Sequence, residues 1–423
     1  MEPGVNRRKQ PAEEALAVPL EVDGRPMEEP NRVQAGAMRV ALNGLFWGQA
    51  GTGSGQYLQN LLPSLAHLQP SARYVLLGPV DGAAASTGTD DPDAPWSRHT
   101  LRTPFDGRSD GLAKVWFEQV AFPRACRRID ADVAHVPYFA PPLFPTVPTV
   151  VTIHDLIPLI LPSYRASRSV RAYMALVARA ARRAHVVVTD SQASARDIER
   201  LLGLAGDRLR VIYLAVDAHF RPLAPADRRE VLGRLGLPEE FLLYLGGFDR
   251  RKNVLTLLEA YAQARERLGG MPLVLAGRLP ERDTPYAPDP RPAIAHLGLA
   301  GAVYLPGWVD EADKPALYSA ARAFCFPSAY EGFGLPVLEA ISSGTPAIIA
   351  SGSSLEEVAG AGGLATPAGD VAALGEALVR ITREPRLRED LSEAGLQHAQ
   401  RFSWQRTAAQ TLAAYEQALQ VAD

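Results

Sequence analysis

Cysteine is almost missing from this 423-residue chain: Cys126 and Cys325 are the two present, far apart in sequence. That excludes a disulfide framework and a metal site built from cysteines, and it fits a reducing compartment. Net charge is equally scarce. The 44 basic residues face 47 acidic ones, leaving −3, which argues against a general nucleic-acid binder. Long apolar runs are lacking too. The longest, Val147–Pro162, is broken by His154, Asp155 and prolines, and falls short of the roughly 18–20 residues of a membrane-spanning helix. Lysine is rare: Lys9, Lys114, Lys252 and Lys314 are the only four among the 44 basic residues. Such a bias towards arginine reads as a coding preference, and each retained lysine merits inspection.

What is present is globular in character. With 47% hydrophobic and 22% charged residues, the chain has enough apolar matter for full-sized cores. At about 150 residues per domain its length implies two to three domains. Residues 1–37 are the exception, carrying twelve charges, five prolines and no aromatic residue. A segment of that composition cannot bury enough apolar surface to offset its ordering entropy, so a disordered tail is expected there. It lacks the apolar core of a signal peptide. Met38, directly before the first strand, is a candidate start site.

From Met38 onward short β-rich apolar runs alternate with helical patterns. Met38–Asn43, Tyr74–Gly78, Val133–Val136, Val147–Ile153, Val186–Thr189 and Arg210–Tyr213 read as buried strands, with helices such as Gln56–Leu68 and Ser169–Ala184 between them. After Asp217–Pro225 the pattern restarts with Phe241–Gly246, Pro272–Gly277, Val303–Pro306, Ala323–Pro327 and Ala347–Ala350. This alternation predicts α/β domains with largely parallel sheets, residues 38–221 and 222–402, joined near residue 222. Ligands of such sheets bind beyond the carboxyl ends of the strands, which directs attention to a cleft between the halves.

The richest segment runs Ser328-Ala-Tyr-Glu-Gly-Phe-Gly-Leu-Pro-Val-Leu-Glu339. A strand leads into a glycine-bearing loop, and Pro336 suits the first turn of a helix because its missing N–H would be unpaired there anyway. Gly344 with Thr345-Pro346 ends that helix. The free N–H groups near Gly334 and Leu335 form an anion site suited to a diphosphate. Glu331 precedes the helix, within reach of sugar hydroxyls; Glu339, one turn in, offers two acceptor oxygens to the hydroxyl pair of a ribose. The competing reading is an ordinary strand–turn–helix with helix-favouring glutamates. The combination of glycines, proline and strand context favours the site.

Glu331-x7-Glu339 within Tyr-Glu-Gly-Phe-Gly-Leu-Pro resembles the donor-site motif of retaining glycosyltransferases of the family 4 type, and the resemblance extends from Met38 to the C-terminus. It implies the GT-B architecture, two Rossmann-like α/β domains facing a central cleft, with a C-terminal helix (403–423, containing Gln405–Ala418 after Phe402-Ser-Trp404) crossing back to the first domain. It also implies transfer of a sugar from a nucleoside-diphospho-sugar with retention of configuration, without a metal or other cofactor. No Asp-x-Asp occurs in the second half; Asp91-Pro-Asp93 and Asp130-Ala-Asp132 carry the letters in unsuitable settings.

The resemblance then assigns residues. In Tyr244-Leu-Gly-Gly-Phe-Asp-Arg-Arg-Lys-Asn253, Lys252 matches the family's lysine on the diphosphate. Gly247 stands where an arginine is common, and Arg251 reads as its substitute, as in the Arg-Lys-Asn variant of mannosyl-type members. Cations there would neutralise the leaving group; the bland alternative is a solvated basic turn. Gly53 and Gly55, in Gly51-Thr-Gly-Ser-Gly55-Gln56, belong to a loop facing the cleft, where glycines permit close backbone approach. His154 in Thr152-Ile-His-Asp155 matches the histidine beside the transferred sugar, Asp155 orienting its turn. Trp308 and Val309 lie where the family holds the base, with Trp308 equally readable as a packing residue, and Arg278 is a further diphosphate candidate. The implied set is therefore His154, Glu331, Lys252 and Arg251 for catalysis, and Gly53, Gly55, Gly246, Gly247, Trp308, Val309, Phe333, Gly334, Leu335 and Glu339 for the donor.

Arg165, Arg168, Arg171, Arg179, Arg182 and Arg183 cluster around one helix. They read either as a solvated face or as a surface for anionic lipid, the latter implying a cytoplasmic protein peripheral at the inner membrane face. The Arg-Lys-Asn variant leans towards GDP-mannose as donor and a saccharide or lipid-linked acceptor in surface polysaccharide or glycolipid synthesis. The alternatives are a nucleotide-sugar epimerase on the same architecture and a non-catalytic sugar-nucleotide-binding partner.

Overall fold

The computed structural model describes residues 21–22, 25–26, 37–49, 51–80, 95–161, 164 and 167–422. Of the tail expected to be disordered, the antiparallel pairing of Glu21–Val22 with Arg25–Pro26 and Ala37 are described; the rest of that expectation lies outside the described residues, as does Asp91–Asp93.

Two parallel sheets build the molecule. The first contains β1 (Arg39–Asn43), β2 (Arg73–Pro79), β3 (Trp96–Leu101), β4 (Val133–Val136), β5 (Thr149–Thr152), β6 (Val186–Thr189) and β7 (Leu209–Val211), in the order β3-β2-β1-β4-β5-β6-β7. The second contains β8 (Phe241–Leu245), β9 (Leu273–Ala276), β10 (Val303–Gly307), β11 (Ala321–Phe326), β12 (Ala347–Ala350) and β13 (Gly363–Thr366), in the order β10-β9-β8-β11-β12-β13. Central strands such as Val133–Val136 and Phe241–Leu245 are buried at every position, because helices cover both faces of a parallel sheet. Their residues alternate between faces. In the first sheet Val40, Leu42, Val133 and Val186 enter the core under α1 (Gly53–Leu68), whereas Ala41, Ala134, Val136 and Val187 enter the opposite core with Phe117, Phe122 and Ile198.

All eleven expected strands are present, with shifts of up to two residues at their ends. Two strands of these two sheets escaped the sequence reading, β3 and β13, as did the short Glu21–Val22 and Arg25–Pro26 pair in the tail expected to be disordered. β3 and β13 are edge strands, and Trp-Ser-Arg-His-Thr-Leu carries no continuous apolar run because one side of it has no partner strand.

The helices that matter for the site are α1, α2 (Arg168–Ala181), α3 (Gln192–Leu202), α4 (Leu335–Ser342) and α5 (Trp404–Ala422). The last crosses back onto the first sheet, burying Ala408, Thr411, Ala414, Tyr415 and Ala418. These are mostly small side chains, which let α5 approach closely, and Tyr415 Oη lies 2.8 Å from Nδ1 of His135 on β4. Among the described residues, no helix is long and apolar enough to cross a membrane.

Candidate active site in the interdomain cleft

The loop after β11 turns into α4 through Gly334, whose φ of +114° requires glycine. A Cβ there would also press on Leu355 Cδ2 at 2.6 Å. Pro336 occupies the first turn and Gly344, at φ +80°, follows the last, as the sequence predicts. Ser354 Oγ donates to the carbonyls of Glu331 (2.9 Å) and Phe333 (2.7 Å), fixing the loop from the C-terminal side.

Glu331 is buried, and one of its oxygens collects three donors. Oε1 lies 2.6 Å from Lys252 Nζ, 2.6 Å from Arg251 Nη1 and 2.6 Å from Ser328 Oγ. The basic loop after β8 is knitted to the same place: Ala329 N donates to the Arg251 carbonyl at 2.8 Å, and Asn253 Nδ2 to the Pro327 carbonyl at 3.0 Å. Burial would raise the Glu331 carboxyl, but Lys252 and Arg251 outweigh it and hold the group below the usual carboxylate range. Lys252 Nζ also sits 4.6 Å over the Phe326 ring. Arg251 is further tied by Asp249 Oδ1, 3.0 Å from its Nε, and Tyr164 Oη of the first half donates to that oxygen at 2.8 Å. The basic turn is thus a buried ionic cluster rather than a solvated loop.

Beside it, a cavity of about 300 Å³ opens between the halves. Gly246, Gly247, Trp308, Val309, Leu335 and Glu339 line it, joined by Arg278, Lys314 and Pro336, with Gly51 and Gln56 contributed from across the cleft. Glu339 is buried at its foot: Oε2 accepts from Tyr318 Oη at 2.7 Å, and Lys314 Nζ stands 3.8 Å from Oε1. Burial pushes the Glu339 carboxyl up. Trp308 is 56% exposed and carries the Arg278 guanidinium 5.6 Å above its ring, the posture of a platform rather than of a packing residue. A second cavity of about 250 Å³ continues past Glu339 to Asn60, His219 and Trp404.

Three glycines and one aromatic residue of the expected donor set are not among the residues lining this cavity. Gly53 is exposed at the start of α1. Gly55 is required because a Cβ would collide with the Gln49 carbonyl, while its N–H is capped by Thr52 Oγ1 at 3.1 Å. Gly334 shapes the turn into α4. Phe333 packs between Tyr213 (6.3 Å between ring centres) and Phe402 (5.9 Å), on the side of the loop where the chain recrosses between the halves.

His154, at the end of β5, has both ring nitrogens beside acceptors: Asp190 Oδ2 lies 2.6 Å from Nδ1 and the Pro137 carbonyl 3.1 Å from Nε2. Both nitrogens can donate at once only when the ring is protonated. Burial opposes this charge, but Asp190 outweighs it and raises the pKa. His135, buried between Tyr415 and Thr152 hydroxyls, is depressed to about 3 by burial and stays neutral. Asp155 Oδ1 accepts from Ile157 N at 2.9 Å, the turn-orienting task expected of it.

Sequence reasoning missed Asp190, Gln56, Tyr318 and Lys314 as site neighbours. Lys314 had a signal, its rarity; Asp190 follows a predicted strand directly. Elsewhere, Asp132 accepts from Arg39 N at 2.7 Å and so anchors β1. On α2, Arg168, Arg171 and Arg179 are exposed. Just beyond it Arg183 lies 5.1 Å over Phe144, itself 68% exposed. Arg165 lies outside the described residues.

Residues 229–398 match the family model of glycosyl transferases group 1, and residues 52–220 that of Glycosyltransferase Family 4. O-antigen chain mannosyltransferase B of Escherichia coli is 35% identical over 239 residues, 55% of this chain and 61% of the relative. MMP alpha-(1->4)-mannosyltransferase of Mycolicibacterium hassiacum is 35% identical over 247 residues, 56% of each. The matches thus span little more than half the length of these curated relatives. Sucrose-phosphate synthase of Thermosynechococcus elongatus has a similar fold, with a TM-score of 0.69 at 23% identity over 90% of this chain and 98% of that one. The chain belongs to the family 4 type of glycosyltransferases and has their GT-B fold.

Proposed function

We propose that this chain transfers a hexose from a nucleoside-diphospho-sugar to a saccharide or lipid-linked acceptor, with retention of configuration. The observation that carries this reading is the cavity walled by both halves, with Glu339 at its foot and the Glu331–Lys252–Arg251 cluster beside the N-terminus of α4. The base would rest on Trp308 and Val309, the ribose hydroxyls on Glu339, and the diphosphate on the N–H groups opening α4. Lys252 spends one of its three protons on Glu331. With the Nη2 edge of Arg251 it would meet charge growing on the leaving phosphate, the main electrostatic task in breaking a glycosyl–phosphate bond. Positive charge supplied in this way supports a metal-independent reaction.

Glu331 would orient the sugar, and the His154 ring would stand at the opposite wall. In a same-face reaction the bond from the anomeric carbon to the phosphate oxygen breaks as the acceptor oxygen attacks that carbon. The acceptor's proton passes to the departing phosphate, so the products are the glycoside and the nucleoside diphosphate. The two relatives named as mannosyltransferases support mannose as the sugar, and GDP-mannose as the donor rests on the resemblance of Arg251-Lys252-Asn253 to the mannosyl-type variant. Synthesis of a surface polysaccharide or glycolipid in the cytoplasm follows as the setting.

The reading is tested by melting the protein with GDP, UDP, ADP or no nucleotide, all in EDTA. One nucleoside diphosphate at a hundred times its dissociation constant is expected to stabilise the fold by about 2.7 kcal/mol. No shift with any of them refutes the donor site. The exposed arginines of α2, with Arg183 over Phe144 just beyond it, would place the first half on anionic lipid. Flotation with vesicles containing phosphatidylglycerol is the check: binding lost above about 0.5 M salt, where the Debye length falls below about 5 Å, is expected. Absence of binding at low salt removes the membrane from the proposal.

A further inference from the structure

The loop bearing Glu331 is held from the far side of the cleft as firmly as from its own. The Gly332 carbonyl accepts from Ser191 Oγ at 2.6 Å and from Ser194 Oγ at 3.1 Å. Tyr330 Oη donates to Asp197 Oδ2 on α3 at 2.6 Å. Gly332 has no room for a side chain, since a Cβ would collide with the His154 carbonyl and approach Asp155 Cβ to 2.8 Å. The loop therefore seats directly on the His154 turn and on the first turn of α3.

That turn of α3 is completed by a residue of the second half. Ser191 Oγ caps Ser194 N at 3.0 Å, and the two N–H groups ahead of it go elsewhere. Gln192 N donates to Glu357 Oε2 and Ala193 N to Glu357 Oε1, each at 3.0 Å. Tyr213 Oη adds a third donor at 3.2 Å to Oε2. A carboxylate facing orphan N–H groups is the favourable partner for the positive end of a helix. Glu357 also lies three residues after Ser354, whose hydroxyl grips the Glu331 and Phe333 carbonyls. The Glu331-Gly332-Phe333 backbone is therefore clamped by Ser354 at the carbonyls of Glu331 and Phe333 and by Ser191 and Ser194 at the carbonyl of Gly332 between them, and Glu357 ties the two clamps together.

We infer that Glu357 is a positioning residue: by capping α3 across the cleft it locks the two halves together and sets the Glu331 loop in its working place. The inference rests on the reading of Glu331 as the sugar-facing carboxylate. Its experiment pairs two substitutions that act by different means on opposite sides of the latch. Glu357→Ala removes the cap, and Gly332→Ala adds a methyl group where the His154 carbonyl sits.

Both folded variants are expected to lose kcat by about 10²-fold, the scale of an ångström-sized misplacement. The affinity for the nucleoside diphosphate should stay within about threefold, because its site is built mainly on the second half; general damage would lower both. Hydrogen exchange supplies a readout that needs no substrate. In Gly332→Ala, where Glu357 is intact, the Gln192 and Ala193 amides are expected to exchange at least about tenfold faster, since loop and cap release together. Unchanged exchange at those two amides overturns the inference, whatever the activity. So does full kcat in either folded variant. If the wild-type protein transfers no sugar, the reading of Glu331 fails on its own, and the exchange result still decides whether loop and cap are one latch.

Discussion

Lys252→Ala is expected to abolish sugar transfer and to lower stability by about 1.5–3 kcal/mol, the cost of removing one charged hydrogen bond from a buried carboxylate. Glu331 Oε1 would retain Arg251 and Ser328 but lose the ammonium at 2.6 Å. The cost should appear as an asymmetry. Removing both partners in Lys252→Ala/Glu331→Ala leaves no carboxylate short of a donor, so the double variant should be less destabilised than the sum of the singles, by a coupling measurable in urea denaturation. Its activity should be no better than either single variant, since transfer needs both groups. The pH dependence has a definite sign. The folded carboxyl is held below its usual range, so its contribution is full above the unfolded pKa and is lost as pH falls through the folded one. Unchanged turnover in Lys252→Ala would sink the assignment of this cluster to the reaction.

The second large effect lies outside the cleft. Glu118, fully buried in the π-helical turn Phe117–Ala121, should be improved by glutamine at neutral pH and above. Burial pushes its carboxyl up to about 7, against the pull of Lys114, whose Nζ is 3.8 Å away, and of the Tyr173 and Tyr138 hydroxyls. Tyr173 Oη lies 3.0 and 2.9 Å from its two oxygens, and Oε1 of glutamine can accept that bond as well. The folded chain thus keeps a proton that the unfolded chain releases near pH 4.5. Stability falls as pH rises from about 4.5 to about 7 and is flat beyond. At about 1.4 kcal/mol per pKa unit, Glu118→Gln should gain roughly 3 kcal/mol at pH 8 and almost nothing below pH 4.5. Denaturant midpoints at pH 4.5 and pH 8 measure this, and equal differences at both would refute it.

Particular residues mark how far the sequence could be read. Strands such as Val133–Val136 and Val186–Thr189 were legible because a strand buried on both faces must be apolar throughout. Edge strands β3 and β13 obey no such rule, and both were missed. The turn into α4 was legible for a similar reason: Gly334 at φ +114° and Pro336 in a first turn are local demands of the backbone. The glycines after Gln49 were read for their freedom, but freedom does not say what approaches them. At Gly55 it is the chain's own Gln49 carbonyl, while Gly51 and Gln56 reach the cavity.

The sequence by itself therefore determined the succession of strands and helices, the turn that opens α4, and the presence of Glu331, Glu339 and Lys252 at strand and helix ends. These follow from periodicity and from backbone geometry, which act between near neighbours in the chain. Only the tertiary structure decided that Lys252 and Glu331, 79 residues apart, form one ion pair, and that His154 meets Asp190 and the Pro137 carbonyl. It likewise placed Phe333 in an aromatic cluster and Glu357 on the helix of the opposite half. Charge state and hydrogen bonding depend on which groups come within a few ångströms once water has been excluded, and that is settled by the packing of the two sheets.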